Sequence, residues 1–262
     1  MSQIAILTRP EGRNGALADG LRQAGWQVLA LPALSLRPLP VPAGKLPLPG
    51  QFDLVVFVSG YAAHVYFRQL REATGHARWP AHVPVATVGP ASAAALREQP
   101  GFGADTTVFC PPPDAPAHDS EALWELLRAQ TRLPERVLIV RGTRGRDWLA
   151  QQLEASGVHV RIHAAYERQP AEWAATVVQQ LHTWARHSQK VTWLLTSGEG
   201  LVAILSQIRA SALEDWWQNC DFVVTHPKLA QQLKEGGGAG PNAMVKTCLP
   251  ADDAILAAFV AA

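Results

Sequence analysis

The chain lacks the short signatures that announce a cofactor. No CxxC joins its three cysteines, Cys110, Cys220 and Cys248, which are widely spaced and odd in number; neither a disulfide framework nor a cysteine zinc site is expected. Neither GxxxxGK[ST] nor GxGxxG occurs, and the lone Gly198-Glu199-Gly200 lacks both the third glycine and an acidic residue about 20 positions on. GxSxG is also missing, which removes the simplest serine-hydrolase reading. Charge of one sign is absent as well. With 23 Lys and Arg against 22 Asp and Glu the net charge is +1 and no block of like charge stands out, so general electrostatic binding of nucleic acid is not expected. No apolar run reaches about 18 residues and no basic stretch leads into an apolar one near Met1, so neither membrane insertion nor export is expected. A reducing cytoplasm is the expected compartment. Lysine is scarce, five against 18 arginines, and there are only three tyrosines.

What is present suits a soluble globular protein. The 262 residues are 48% hydrophobic and 17% charged, with nine tryptophans, enough for one large or two medium domains with a sizeable core. Apolar β-prone runs alternate with helical patterns: strand 4–8, helix 12–24 closed by Gly25, strand 26–31, strand 52–59, helix 62–71, strand 83–88 and helix 91–98. After these come helix 120–129 with Asp119 or Ser120 as N-cap, strand 136–140, helix 146–155, strand 158–165, helix 171–186, strand 191–196, helix 200–208, strand 222–224, helix 227–235, strand 244–247 and a last helix from Asp252. Six prolines between Pro32 and Pro49 mark a connector that should hold neither helix nor central strand, and a second cluster spans Pro111 to Pro116. Alternation of this kind argues for an α/β protein of parallel sheets with helices on both faces.

Nine histidines are scattered, and the closest pair, His159 and His163, shares one face of a strand. No third ligand accompanies them, so no metal is assigned, and the plainer reading is a solvent-facing pair on an edge strand.

An internal repeat organises the chain. Displaced by 132 positions, Ile6-Leu7-Thr8-Arg9 falls on Leu138-Ile139-Val140-Arg141, Leu17-Ala18 on Leu149-Ala150, Leu21 on Leu153, Gly25 on Gly157 and Val28 on Val160, without a gap. More loosely, Asp53 to Gly60 followed by Val85 to Pro90 resembles Val191 to Gly198 followed by Phe222 to Pro227. Two similar lobes are expected, but the repeat leaves open whether the first βαβ unit packs with the segment that follows it or with the last. Strand carboxyl ends facing each other would make a cleft, lined by turns rich in Gly, Ser, Thr, Pro and Arg. Such turns suit an anionic ligand and supply little acid–base chemistry; they equally suit tight turning and helix capping.

The motifs Ile6-Leu7-Thr8-Arg9-Pro10, Phe57-Val58-Ser59-Gly60, Val88-Gly89-Pro90-Ala91-Ser92 running on to Leu96, Val137 to Gly142 followed by Gly145-Arg146-Asp147-Trp148-Leu149, Ala165-Tyr166-Glu167-Arg168 and Leu195-Thr196-Ser197 together resemble the uroporphyrinogen-III synthase family, in the family's order and over almost the whole chain. The resemblance implies two α/β lobes: residues 1–36 with 172–262 forming one, 41–165 the other, and a two-stranded ladder of 37–40 and 166–171 joining them. It implies a hydro-lyase that cyclises hydroxymethylbilane to uroporphyrinogen III, without cofactor or metal, in haem and sirohaem formation. Loss of the ring A hydroxyl gives an azafulvene, ring D attacks through its substituted α-carbon, and the spiro intermediate fragments and recloses with ring D inverted. By the same resemblance Tyr166 assists departure of the hydroxyl. The substrate-facing set is Arg9, Ser59, Gly60, Gly89, Ser92, Arg141, Gly142, Thr196, Ser197, Gly198, Thr225 and Lys228, with Ser92 and Thr225 reading equally well as helix caps.

The chain departs from the family pattern at Val58-Ser59-Gly60, where Thr-Ser-Pro is frequent, and at His226-Pro227-Lys228-Leu229, where Gly-Pro-Thr-Thr is usual. A monomer is expected, with transient contact to the enzyme that supplies the bilane. The rival readings are a non-catalytic two-lobed protein binding a small anion and, less favoured for want of the glycine fingerprint, a nucleotide-dependent transferase.

Overall fold

The computed structural model describes residues 3–76, 78–236 and 238–261. In chain order the elements are β1 (Ile4–Leu7), α1 (Gly15–Gln23), β2 (Gln27–Ala30), β3 (Leu34–Pro38), β4 (Leu54–Phe57), α2 (Gly60–Thr74), β5 (Val85–Thr87), α3 (Pro90–Arg97), β6 (Val108–Phe109), α4 (Ser120–Arg128), β7 (Arg136–Gly142) and α5 (Trp148–Ala155). They continue with β8 (His159–Pro170), α6 (Ala175–Arg186), β9 (Val191–Leu195), α7 (Gly198–Ala210), α8 (Glu214–Gln218), β10 (Asp221–Val224), α9 (Pro227–Glu235), β11 (Val245–Thr247) and α10 (Asp252–Val260). A short 3-10 turn, Pro49–Gln51, precedes β4. The chain divides into two compact units, residues 1–36 with 169–262, and residues 37–168.

The first unit carries the sheet β11-β10-β9-β1-β2, all parallel. Because side chains alternate across a strand, Ile4 and Ile6 pack on one face with Trp193, Trp217 and Phe222, while Ala5 and Leu7 pack on the other with Leu17, Leu21 and Phe259. Both faces are thus covered by helices, as a parallel sheet requires. Four of the nine tryptophans, Trp173, Trp193, Trp216 and Trp217, meet in one aromatic cluster on the first face.

The sheet that includes the second unit's strands runs β3-β8-β7-β4-β5-β6. One of its faces packs Leu54, Val56, Val137 and Ile139 against Leu123, Leu127 and Leu153 of the helices. Phe57, Tyr66, Phe67 and Trp79 form an aromatic cluster of their own.

The repeat has a counterpart in strand register. Ile4 pairs with Gln27 and Arg136 with His159, each pair displaced by 132. Trp193 pairs with Phe222 as Val55 does with Val85, and Thr192 lies beside Ala5 as Leu54 lies beside Val137. The first βαβ segment therefore shares a sheet with the last part of the chain, and the third segment with the second, which is the question the repeat left open. Both passages of the chain between units run through β3 and β8.

Several sequence expectations shift. The proline-rich connector does contain a strand: Leu34-Ser35-Leu36-Arg37 is free of proline and forms β3, which sits at a sheet edge where Pro38 costs no ladder bond. Strand β8 continues five residues beyond Ala165, and Ala171 still donates its amide to Ala33, so α6 begins at Ala175 instead of Ala171. Nor is β8 an edge strand, since it lies between β3 and β7. His163 is accordingly partly buried and bonded to Gln69 Oε1 at 2.8 Å, not solvent-facing; His159 is exposed. The short elements β6 and α8 carry too few residues to show a period. Asp119 supplies the α4 cap, accepting from the Ala122 amide at 2.9 Å.

Candidate active site

In the second unit the carboxyl ends of β4 and β7, with the stretch of β8 beside them, bring Ser59, Gly142 and Tyr166 together. Ser59 leaves β4 in an extended conformation and caps α2, its Oγ accepting the Ala62 amide at 3.1 Å. The same Oγ lies 3.3 Å from the Tyr166 hydroxyl. Tyr166 owes its place to a register shift: Arg141 pairs with Ala164, but Gly142 pairs with Tyr166, so Ala165 is an extra residue on β8. A bulge of this kind re-aims the side chain that follows it.

The Tyr166 ring then lies against the Gly142 backbone. A Cβ on residue 142 would come 3.0 Å from Tyr166 Cε2 and 3.1 Å from Cζ, so any larger residue there pushes on the ring. Tyr61, one residue into α2, stacks edge-on against the Tyr166 ring with centroids 5.0 Å apart at 88°. Tyr166 is only 3% exposed.

Behind the tyrosine, Gln69 joins three segments. Its amide nitrogen donates to the Leu39 carbonyl at 2.8 Å and to that of Ala165 at 3.4 Å, while its oxygen meets His163. Burial, with the charge of Arg161 adding to it, pushes the His163 imidazole down from 6.5 to about 4, so it is neutral at physiological pH.

Gly60 opens α2 where α2 crosses α3; a Cβ there would come 2.6 Å from Ala95 Cβ. Gly89 holds the N-cap position of α3 beneath His118, and Ser92 lies in that helix's first turn, so Ser92 is not the cap. Arg141 is mostly enclosed, pairing with Asp147 at 2.6 Å and donating to the Arg146 carbonyl at 3.1 Å; its Nε has no hydrogen-bond partner among the described residues.

The first unit repeats this construction with different chemistry. Ser197 caps α7, accepting the Gly200 amide at 3.1 Å, and a Cβ on Gly198 would come 2.8 Å from Gln232 Oε1. Thr196 precedes this cap on the turn from β9. Thr225 donates its amide to the Leu195 carbonyl at 3.2 Å, and the α9 cap is His226, whose Nδ1 accepts the Lys228 amide at 3.1 Å. Thr225 is therefore not a cap either. Arg9 pairs with Asp252 at 2.5 Å. Both arginines of the repeated turn are thus held by a carboxylate of this chain.

Sequence reasoning did not single out Tyr61, His118, Asp147 or Asp252. Asp147 stood within a quoted motif, but a tyrosine in a helix's first turn gives no signal of a neighbour more than a hundred residues away.

The family model described as Uroporphyrinogen-III synthase HemD matches residues 15–239. The chain is 30% identical over 236 residues to the uroporphyrinogen-III synthase of Salmonella typhimurium and 28% identical to that of Escherichia coli K12; each alignment covers 88% of this chain and 91% of the relative. Among solved structures, the uroporphyrinogen-III synthetase of Helicobacter pylori superposes with a TM-score of 0.62 at 14% identity, covering 100% of this chain and 99% of that one. A mutant uroporphyrinogen III synthase from the extremely thermophilic bacterium Thermus thermophilus superposes with a TM-score of 0.52 at 16% identity, covering 98% and 97%. The match of the family model over most of the chain, with two relatives of that name aligned over nearly nine-tenths of it, shows that this chain belongs to the uroporphyrinogen-III synthase family.

Proposed function

We propose that this chain converts hydroxymethylbilane to uroporphyrinogen III, with Tyr166 as the group that protonates, or hydrogen-bonds to, the departing ring A hydroxyl. The observation that carries this reading is the enclosed phenol of Tyr166, held between Ser59, Gly142 and Tyr61 at the carboxyl end of the second unit's sheet. The reacting carbons and the leaving group belong to the substrate. The protein's work is to fold the bilane, assist loss of the hydroxyl and disfavour closure without inversion of ring D. One well-placed weak acid matches that requirement.

For the polycarboxylate substrate we propose contacts from the turns that end the strands: Gly60, Gly89, Ser92, Arg141 and Gly142 in the second unit, with Arg9, Thr196, Ser197, Gly198, Thr225 and Lys228 in the first. The positive ends of the helix dipoles at the starts of α2, α3, α7 and α9 support anion binding there. Because Asp252 and Asp147 already pair with Arg9 and Arg141, a substrate carboxylate shares or displaces them. The two lobes act as the functional divisions, joined through 37–40 and 166–171; the protein works as a monomer in the cytoplasm and takes its unstable substrate from the enzyme that makes it. No helix among the described residues is long and apolar enough to cross a membrane.

Incubation with hydroxymethylbilane, followed by separation of the type I and type III isomers, tests the reaction. Type III product supports it. Type I alone, at the rate of the blank, leaves the non-catalytic anion binder as the better account.

A further inference from the structure

We infer that Ser59 is a positioning residue for Tyr166, the middle of a hydrogen-bond chain running from the first turn of α2 through the serine hydroxyl to the phenol oxygen, and that it acts through the phenol instead of touching the substrate. The inference rests on the reading of Tyr166 as the acid.

Either hydroxyl can donate across this pair, because Ser59 Oγ keeps a second lone pair, and the acid role proposed for Tyr166 selects Ser59 as the donor. The Ala62 amide donates to Ser59 Oγ at 3.1 Å, which uses a serine lone pair and leaves the serine proton to be placed. The inference assigns that proton to the Tyr166 oxygen, which lies 3.3 Å away. Were the bond reversed, the phenol proton would be spent on Ser59 and unavailable for the leaving hydroxyl. With Ser59 donating, the phenol keeps its own proton free to transfer. When the C–O bond of the substrate breaks, its electron pair goes to oxygen, the phenol proton completes a water molecule, and the O–H pair stays on the phenolate. The proton released as the macrocycle closes restores the phenol.

Charge then develops where the chain of donors points. The 15-residue helix α2 presents its positive end through Ala62 and Ser59, so a phenolate at Tyr166 is stabilised along that line. At 3.3 Å the hydroxyl pair is long for a neutral contact, and it shortens as the acceptor gains negative charge. Gly142 and Tyr61 fix the ring so that the oxygen stays within reach of Ser59.

The repeat supplies the comparison. Ser197 caps α7 with the same 3.1 Å contact to an amide, yet the residue displaced by 132 from Tyr166 is Leu34, which has no hydroxyl. The two serines thus share a capping role, and only Ser59 has a phenol as its second neighbour.

The test uses the intact protein labelled with 13C at tyrosine Cζ. Its three tyrosines give three resonances, and Tyr166→Phe identifies the one that matters. In Ser59→Ala the Tyr166 resonance shifts and kcat falls about five-fold, as expected for one lost neutral hydrogen bond, while KM holds. Ser59→Thr restores both. Ser197→Ala removes the matching cap and leaves the Tyr166 resonance in place, which separates positioning from loss of a helix cap. A Ser59→Ala variant with a raised KM, an intact kcat and an unmoved resonance overturns the inference in favour of direct substrate contact. Unchanged turnover in Tyr166→Phe refutes the acid assignment itself; reduced turnover there, with no resonance shift in Ser59→Ala, refutes the role of Ser59 alone.

Discussion

Replacing Gly142 by alanine should damage stability and turnover through one displaced ring. The added Cβ would stand 3.0 Å from Tyr166 Cε2, 3.1 Å from Cζ and 3.4 Å from the Tyr166 carbonyl oxygen. Carbon atoms pack best at about 3.5–4.0 Å, so the ring has to give by a few tenths of an ångström. Tyr61, edge-on at 5.0 Å, has to move with it. Overpacking of this kind costs about 1–3 kcal/mol. At about 4 °C per kcal/mol for a unit of this size, the melting temperature should fall by about 4–12 °C. Misplacement of a catalytic group by about 1 Å costs up to about 100-fold, so with Tyr166 as the proposed acid a shift of a few tenths should lower kcat by about three- to ten-fold, with KM less affected.

The assay is type III product formation beside thermal melting, in four proteins: wild type, Gly142→Ala, Tyr166→Phe and the double variant. Phenylalanine keeps the ring and loses the hydroxyl. In that background Gly142→Ala should still lower the melting temperature but should add little to the loss of turnover. Wild-type turnover and melting in the single variant would refute the claim that Gly142 seats the tyrosine. An equal fractional loss of turnover in both backgrounds would show that residue 142 acts on the substrate independently of the phenol.

Three further outcomes follow from the same geometry. Gln69→Leu removes the partner of His163 and of the Leu39 and Ala165 carbonyls, and urea unfolding should show a loss of about 2–3 kcal/mol. His163 binds its proton less readily folded, at about 4, than unfolded, at 6.5. Its contribution is therefore fully present above pH 6.5 and lost as the pH falls from 6.5 through 4, so urea midpoints should decline over that window and His163→Asn should flatten the decline. Gly60→Ala should destabilise by about 1–3 kcal/mol, and Gly198→Ala by less. The loss should be larger at residue 60, where the new Cβ meets another Cβ at 2.6 Å, than at residue 198, where it meets the movable end of Gln232 at 2.8 Å.

The parts of the fold that repeat are legible because burial writes the same residues twice. Leu17, Ala18 and Leu21 face one sheet as Leu149, Ala150 and Leu153 face the other. Gly25 and Gly157, at φ +86° and +82°, turn the chain after each helix. Extended strands and capped helices of this length leave a periodic trace, and the displacement of 132 carries through to the hydrogen-bond register. What was not legible is where periodicity is broken. Ala165 looks like any strand residue, yet it is the extra residue that sets Tyr166 against Gly142. The extension of β8 to Pro170 was hidden because Gln169-Pro170-Ala171 reads as the approach to a helix, whereas its partner residue Ala33 lies far away in sequence.

The site shows the same division between repeated frame and unrepeated chemistry. A serine caps the first helix after the central strand in both units, a glycine follows it where two helices cross, and an arginine paired with an aspartate ends the strand beside it. These positions answer to turn geometry and helix packing, which both units share, so their recurrence says little about reaction. Chemistry is more sharply indicated where the equivalents differ: Tyr166 against Leu34, and Gly89 beneath His118 against His226 in line. On the proposed reading of Tyr166, a frame used twice needs only one acid for a reaction that loses one hydroxyl. The residues that break the repeat around Tyr166, namely the bulge at Ala165 and the tyrosine at 61, are therefore where mutation should separate turnover from folding most cleanly.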